Sequence, residues 1–332
     1  MNDVNPRDAL SQLVFGHVPA RAVQAAAELG LADLIADGIV TDAGLTDAVG
    51  ADAAMLPRFM RYLVSLGLFD QSERGYALTA MGDLLRSDVA GSLRPIARLS
   101  MNAFPAWVEI LHTLRTGESG YQKHFGKPMF EHIAEDPERA AIFDAAMTAI
   151  HGTESAAMLD AYDFAGIGRL VDVGGGNGSL LMATLERHPT MRGVLFDLPH
   201  VIERAAAALE AAGLGERCDA IGGSFFEAVP TGADAILLRH IIHYWPDRDA
   251  IRILGNCAQA LAPDGRVLVV EMLVPEGNAP SLAKSFDLSM MVLPGGIERT
   301  EAEYRALFEA AGLTLSSVTP TASPAYVIEA RP

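Results

Sequence analysis

Cysteine is scarce in this sequence, and the shortage limits the kinds of site that the chain can form. Only Cys218 and Cys257 occur among 332 residues, and neither has cysteine or histidine neighbours at the spacing of metal ligands. We therefore expect reduced thiols in a cytoplasmic protein, with no disulfide framework and no bound metal.

Long apolar runs and positive charge are also lacking. No apolar run reaches about 18 residues, and the start lacks the basic and apolar regions of a signal peptide, so we expect no membrane span. Lys and Arg number 25 against 42 Asp and Glu, which gives a net charge of −17. Such a surface repels nucleic acid and anionic membranes, and we expect neither as a partner.

The chain is instead rich in apolar residues, which make up 50% of it, while aromatic residues make up only 7%. A chain of 332 residues can bury a sizeable core and form two domains. We divide it into an N-terminal domain (1–100), a helical linker (101–164) and a third domain (165–332).

Residues 1–100 show the element order of a winged helix. Apolar residues at helical spacing predict helices at 21–35 and 56–66, with a short helix at 41–49 between them. The stretch 67–79 predicts two short strands around a polar turn. A winged helix raises the alternative of a DNA-binding regulator.

Charge argues against that alternative. Residues 1–100 contain 8 Arg, no Lys and 12 acidic residues, and the helix at 56–66 carries only Arg58 and Arg61. Because a DNA reader needs a basic face, we favour a packing and dimerisation module.

Strands that alternate with helices predict a mostly parallel, doubly wound sheet in residues 165–332. The predicted strands are 170–173, 193–196, 218–221, 235–238 and 266–270. Helices are expected between them, including 179–186 and 249–261, and 263–265 (Pro-Asp-Gly) should stop the latter. In such sheets ligands bind beyond the carboxyl ends of the strands.

A glycine-rich loop follows the first of these strands. Gly174, Gly176 and Gly178 have the spacing G-x-G-x-G. The dinucleotide spacing G-x-G-x-x-G fails, because Ser179 stands where the third glycine would be. Asp172, at the approach to the loop, would repel a pyrophosphate but attract a cationic sulfonium or amino group.

Three residues beyond the next two strands extend this ligand site. Asp197 closes the second strand, where its carboxylate could accept bonds from two ribose hydroxyls. Ser224 could bond to an adenine amino group and Phe225 could lie against the ring, although Phe225 as simple core is equally open. Asp172 and Asp197 could also serve only as turn or cap residues.

Two histidines follow the fourth strand, at the edge where a reactive group would lie. A phenol has a pKa of about 10, and histidine is suited to take its proton at neutral pH. We take His243 as the candidate base, and His240 as a wall residue or a partner to His243.

Two carboxylates could orient this base. Glu271 follows the fifth strand directly, and Glu298 precedes a helix predicted to begin near Thr300. Either could accept a bond from the imidazole N–H and favour the imidazolium. The alternative for Glu298 is helix-end electrostatics with Arg299.

The chain resembles the plant-type (caffeate O-methyltransferase-like) small-molecule O-methyltransferases and their bacterial relatives that act on phenazines, polyketides and other aromatic metabolites. The resemblance covers nearly the whole chain, and its motifs are 170–178 (LVDVGGGNG), 196–200 (FDLPH), 222–230, 239–245, 270–271 and 295–300. It implies an α/β class I methyltransferase fold with a doubly wound, Rossmann-like sheet and an all-helical winged-helix dimerisation domain. It further implies S-adenosylmethionine as cofactor and a homodimer.

The resemblance also implies roles at matching positions. The base falls on His243, and the supporting carboxylates fall on Glu271 and Glu298. The implied cofactor contacts are Asp172, Gly174, Gly176, Asp197, Leu198, Ser224, Phe225 and Arg239. The implied acceptor pocket is lined by Met147, His240, Met290 and Met291, although Met147 also fits an ordinary apolar helix stripe.

This chain departs from the family pattern at three positions. Tyr244 and Ser224 stand where the family commonly has Asp, and Arg239 stands where it often has Lys. A few similar proteins bind the cofactor yet perform decarboxylation or hydroxylation, which gives an alternative function. Because His243 and both glutamates are present, we expect methyl transfer to a hydroxyl of a small aromatic metabolite.

Overall fold

The computed structural model describes residues 5–152 and 154–332, which form two compact units. One unit contains the described residues up to Val108 together with Phe130–Gly152. The other contains Glu109–Met129 and the rest of the described chain to Pro332. The predicted linker, 101–164, is therefore divided between the two units. No helix among the described residues is long and apolar enough to cross a membrane.

The first unit begins with helices and a two-stranded antiparallel hairpin. Its elements are α1 (Pro6–Val14), α2 (His17–Glu28), α3 (Leu31–Ala36), α4 (Asp42–Val49), α5 (Leu56–Ser65), β1 (Phe69–Ser72), β2 (Gly75–Leu78), α6 (Ala80–Asp83) and α7 (Arg94–Ala103). The predicted helix 21–35 is two helices, because Gly30 adopts φ 65° between them. Thr41 caps α4 by accepting a bond from the Gly44 N–H.

The described residues of the segment 101–164 are mainly helical, as the sequence predicts. Their elements are a 3₁₀ helix (Phe104–Glu109), α8 (Ile110–Thr116), α9 (Gly120–Phe125), α10 (Met129–Ala134), α11 (Pro137–His151) and α12 (Glu154–Ala161). By their contacts, α8 and α12 belong to the second unit, whereas α11 belongs to the first.

The second unit is built on a seven-stranded sheet of order β5-β4-β3-β6-β7-β9-β8. The strands are β3 (Arg169–Val173), β4 (Arg192–Asp197), β5 (Cys218–Gly222), β6 (Ala233–Arg239), β7 (Leu261–Met272), β8 (Thr314–Pro320) and β9 (Ala325–Arg331). The first five are parallel, and β9 pairs antiparallel with both β7 and β8. The predicted doubly wound sheet is thus confirmed, with an antiparallel pair at one edge.

Helices connect these strands and cover the sheet on both faces. They are α13 (Ser179–Arg187), α14 (Pro199–Ala211), a 3₁₀ turn (Ile242–Tyr244), α15 (Asp247–Ala260), α16 (Leu282–Val292) and α17 (Glu301–Ala310). Alternate residues of each central strand enter opposite cores: Leu170 belongs to one apolar cluster and Val171 to the other. The sheet therefore lies between two packed apolar layers.

Two local expectations differ from the structure. Pro246 is the N-cap of α15 and not its first helical residue. That helix ends at Ala260, and the 263–265 segment lies inside β7, where Asp264 adopts φ 65° and the register against β6 shifts. The turn signal therefore marks a bulge in the strand and does not mark the end of the helix.

Candidate active site

The glycine loop has a backbone that favours glycine, and Gly174 and Gly175 have no room for a side chain. Gly174, Gly176 and Gly178 all adopt positive φ, between 59° and 76°. A Cβ on Gly174 would lie 2.4 Å from Cδ1 of Ile241, and one on Gly175 would lie 2.7 Å from Oδ2 of Asp172. The backbone of the loop can therefore approach a ligand closely where the chain leaves β3, beside the carboxyl end of β6.

Asp172 is a buried carboxylate at the base of this loop. Its Oδ2 has no hydrogen-bond partner among residues 5–152 and 154–332. Burial raises the pKa of Asp172 to about 7; the charge of Arg239 opposes this rise and that of Asp197 adds to it. An unpartnered buried carboxylate is costly unless a ligand compensates it, so Asp172 is suited to a cationic ligand.

Asp197 is held by the loop itself. Its Oδ2 accepts a bond of 2.9 Å from the Gly176 N–H, and its Oδ1 accepts one of 2.7 Å from the Leu198 N–H. A carboxylate has about four acceptor positions, so each oxygen can still accept a ribose hydroxyl. The Leu198 side chain is exposed at the start of α14.

The predicted adenine contacts lie beyond β5. Ser224 Oγ accepts a bond of 3.3 Å from the Phe226 N–H, and the Phe225 ring lies 5.9 Å from the Trp245 ring. Asn256, which the sequence analysis missed, donates to the Phe225 carbonyl at 2.8 Å. Phe225 is only partly buried, so it both packs and presents a surface.

Arg239 ends β6 on the same edge. Its Nη1 donates to Oγ of Ser155 at 2.9 Å, another contact that the sequence analysis missed. Its charge opposes the rise in the pKa of Asp172, which places a positive group beside the loop carboxylate.

His243 lies in the 3₁₀ turn that follows β6, and it is buried. Its Nδ1 lies 2.8 Å from Glu298 Oε1, and a carboxylate can only accept, so Nδ1 carries the proton and donates. The other ring nitrogen, Nε2, is then a bare acceptor. No group among the described residues bonds to Nε2.

Glu271 holds the same histidine by its main chain. The His243 N–H donates to Glu271 Oε1 at 3.0 Å, and the Tyr304 hydroxyl donates to Glu271 Oε2. Of the two carboxylates proposed from the sequence, Glu298 therefore bonds to the ring and Glu271 to the peptide. Tyr304 lies in the ordinary apolar stripe of α17, so nothing local in the sequence marked it.

The two glutamates set the proton affinity of this histidine. Burial alone would lower the pKa of His243, but the negative charges of Glu271 and Glu298 outweigh burial and raise it above the ordinary value. Burial also raises the pKa of Glu271. The site thus favours a histidine that accepts a proton readily.

His240 has a partner of its own. Its backbone adopts φ 53°, and its ring lies 5.3 Å from the His243 ring. Its Nε2 bonds to both oxygens of Glu154, at 2.8 and 3.0 Å. Glu154 is buried and lies 86 positions earlier in the chain, so sequence spacing could not reveal this pair.

The predicted pocket methionines lie in both units. Met290 is buried beside the His243 turn: a Cβ on Gly296 would lie 2.7 Å from Met290 Cε and 2.3 Å from the His243 carbonyl oxygen. Met291 follows it in α16 and is half-buried. Met147 is half-buried in α11 of the first unit.

Comparison with known families gives two matches. The O-methyltransferase domain matches residues 107–314, and the O-methyltransferase dimerisation domain matches residues 11–88. The first match alone covers more than half of the chain.

Individual relatives agree over nearly full length. A phenazine O-methyltransferase of Lysobacter antibioticus is 40% identical over 97% of this chain and 95% of its own. A relative of Streptomyces purpurascens, 35% identical over 93% of this chain and 85% of its own, is named aclacinomycin 10-hydroxylase. The crystal structure of a neocarzinostatin-biosynthesis O-methyltransferase, with S-adenosylmethionine and 2-hydroxy-5-methyl naphthoic acid, has a TM-score of 0.85 at 35% identity, covering 94% of this chain and 95% of that one.

Proposed function

Because the chain belongs to the family of S-adenosylmethionine-dependent O-methyltransferases, we propose that it methylates a phenolic hydroxyl of a small aromatic metabolite, with His243 as the base. The observation that carries the proposal is the bare, buried Nε2 of His243, opposite an Nδ1 that Glu298 fixes as the donor. A ring held in this tautomer is ready to accept a proton from a hydroxyl.

The cofactor supplies an electrophilic methyl group on a cationic sulfonium. In our proposal the chain holds it through Asp172 beside the positive groups, through the backbone at Gly174 and Gly176, and through Asp197 at the ribose. Leu198, Ser224, Phe225 and Arg239 complete this contact set.

The chain's own contribution to chemistry is positioning and proton transfer. In the proposed reaction Nε2 of His243 would take the proton of the acceptor hydroxyl, while the acceptor oxygen would take the methyl group that the bound cofactor would supply, with a neutral thioether as the leaving group. Glu298 stabilises the imidazolium that results, and Glu271 keeps the peptide of His243 in place. The burial of His243 limits the access of water to it.

The acceptor class rests on the pocket and on the named relatives. We propose that His240, Met290 and Met291 line the acceptor pocket, where methionine side chains suit a flat apolar ring. The role of Met147 stays a prediction from the sequence. The relatives' names include a phenazine and a naphthoic acid, both planar aromatics.

We also propose a homodimer formed through the N-terminal domain. The match to a dimerisation domain supports it, as does α1, which has no buried residue and exposes Leu10, Leu13 and Val14. We expect no nucleic acid partner, since the surface is strongly acidic.

Transfer of label tests the function. Cofactor with an isotopically labelled methyl group should place its label in a phenolic or hydroxynaphthoic acceptor. An altered acceptor without label would instead indicate a decarboxylase or hydroxylase, and no change in any aromatic hydroxyl compound would contradict the proposal.

Replacing the base tests the role of His243. His243→Ala should lower turnover by about 10²–10⁴-fold and leave cofactor affinity unchanged, because Nε2 faces the acceptor proton. His112→Ala is the control, since His112 also pairs with a glutamate, Glu118, but outside the site. Undiminished turnover in His243→Ala would refute the assignment.

A further inference from the structure

We infer that Arg299 is a positioning residue for the base, acting through a clamp formed by residues 296–299 around the His243 turn. This inference rests on the proposed function and extends it to residues that touch neither substrate nor cofactor. Three successive residues of the clamp bond to the turn, and each bonds to a different group of it.

The backbone of the clamp contacts the His243 carbonyl oxygen. The Ile297 N–H donates to the His243 carbonyl oxygen at 2.7 Å. A Cβ on Gly296 would lie 2.3 Å from that same oxygen, so only glycine permits this approach. With the Glu298 bond to Nδ1 and the Glu271 bond to the peptide N–H, the ring, the N–H and the carbonyl of His243 are all fixed.

Arg299 fixes the carbonyls on either side of the histidine. Its Nη1 donates to the Ile242 carbonyl at 3.3 Å, and its Nη2 donates to the Trp245 carbonyl at 2.7 Å. The side chain is only 1% exposed. A planar guanidinium presents its donors on separate nitrogens in fixed directions, whereas the donors of lysine all lie on one nitrogen and rotate with it.

An ordinary ion pair does not explain this burial. Arg299 also bonds to Asp247 Oδ1, from Nε at 3.2 Å and from Nη2 at 2.8 Å, but the Asp247 side chain is 68% exposed. A solvent-exposed partner contributes little energy and does not require a buried cation. The bonds to the two carbonyls of the turn account for the burial of the guanidinium.

The clamp itself is anchored to the second unit. The Glu298 N–H donates to Asp287 Oδ1 at 3.0 Å, and the Arg299 carbonyl accepts from the Val274 N–H at 2.9 Å. The capped helix α17 begins directly after it, with Thr300 as its N-cap. The segment is therefore a fixed frame against which the histidine turn is held.

Arg299→Lys tests the role of the planar guanidinium, because it keeps the charge and removes the fixed geometry with which Arg299 bonds to the two carbonyls. We expect kcat to fall by about 10²-fold with little change in KM, since misplacement of about 1 Å has an effect of this size. Loosening the Glu298 contact should also move the pKa of His243, followed by NMR of labelled histidine, to a lower value. A purely structural role would lower thermal stability without moving this pKa.

Arg217→Lys is the matched control. Arg217 also donates to backbone carbonyls, those of Leu185 and Met191. It precedes β5, at the amino ends of the parallel strands, whereas His243 follows the carboxyl end of β6. Substitution of Arg217 should cost stability and leave both kcat and the pKa of His243 unchanged.

A second variant covers the case in which Arg299→Lys does not fold. The added methyl group of Gly296→Ala would displace the His243 carbonyl directly. This variant should reproduce the loss in kcat and the lowered pKa of His243. The clamp would be overturned if Arg299→Lys kept wild-type activity and an unchanged pKa of His243. If only Gly296→Ala folds, the same result in that variant would overturn it. Absence of label transfer by the wild type would instead refute the proposed function, and the NMR measurement would still decide the clamp.

Discussion

The glycine loop and the His243 turn lie at the same edge of one sheet, yet they are built differently. The loop side is almost continuous in sequence: Asp172 precedes its glycines, and Asp197 bonds back to Gly176. The His243 side is assembled from distant segments, because its glutamates lie 28 and 55 positions away. A glycine loop of this kind can be formed by one strand–loop–helix unit, whereas a histidine of fixed orientation needs contacts from distant segments of the chain.

The two sides also hold charge differently. Asp172 is a buried carboxylate whose Oδ2 has no hydrogen-bond partner among the described residues. His243 has a full set of bonds to its Nδ1, its N–H and its carbonyl, and only Nε2 is open. In the proposed function the loop side therefore gains most from the cofactor, while the histidine side is organised by the chain's own hydrogen bonds.

The largest effect should follow from Asp172→Asn, which removes the loop carboxylate. We expect cofactor affinity to fall by about 10²-fold or more, because a cationic ligand would lose its buried counter-charge. Titration calorimetry measures this loss. Asp234→Asn is the control, since Asp234 caps the Gly168 and Arg169 N–H groups at the other end of β3 and should leave the affinity unchanged.

The same variant should stabilise the ligand-free protein in a pH-dependent way. The folded-state pKa of Asp172 is about 7, above the unfolded value of about 3.9, so wild-type stability falls as pH rises between these values. Asp172→Asn should therefore melt about 5 °C higher than wild type at pH 8 and equally at pH 4. A lower melting temperature at pH 8 would mean that the carboxylate is compensated within the chain.

A smaller effect is expected for Glu298→Gln on the histidine side. Turnover should fall about tenfold, because a neutral amide stabilises the imidazolium less. The removed charge also lowers the pKa of His243, so the pH at which activity is lost on acidification should move down. Glu118→Gln, at the surface His112 pair, should change neither quantity; an unmoved pH profile in Glu298→Gln would contradict the electrostatic role.

The smallest effect is expected for Tyr304→Phe, which removes one donor from Glu271. Unfolding free energy should fall by about 1 kcal/mol and turnover by about two- to fivefold, since Glu271 keeps its charge and bonds to the His243 peptide and not to its ring. In Tyr162→Phe, the lost hydroxyl bonds to Glu329 at 2.6 Å, and only stability should fall. Equal turnover in both variants would show that Glu271 needs no orientation by Tyr304.

The same contrast explains how much could be predicted from the sequence. Strand–helix alternation and the glycine spacing are local patterns, and they predicted the sheet and the loop. The choice between Glu271 and Glu298 as partner of the imidazole ring stayed open, because it depends on which strand end faces the ring. Glu154 and Tyr304 carried no sequence signal at all, since only the packing of α12 and α17 brings them to the histidines.

Single residues also changed meaning in the fold. The 263–265 turn signal became a bulge inside β7, because Asp264 could adopt a positive φ without ending the strand. Arg299 was considered only as a helix-end charge, yet its guanidinium reaches back to the carbonyls around His243. Tertiary contacts of this kind are invisible to local propensity.

The pH dependence of wild-type methyl transfer, at saturating cofactor and acceptor, tests the central claim most directly. His243 must be neutral to accept a proton, and its pKa is raised by Glu271 and Glu298 despite burial. The rate should therefore fall through a single ionisation on acidification, with its midpoint above the ordinary histidine value of about 6.5. A rate that stays constant well below pH 6.5 would contradict a histidine base held between two glutamates.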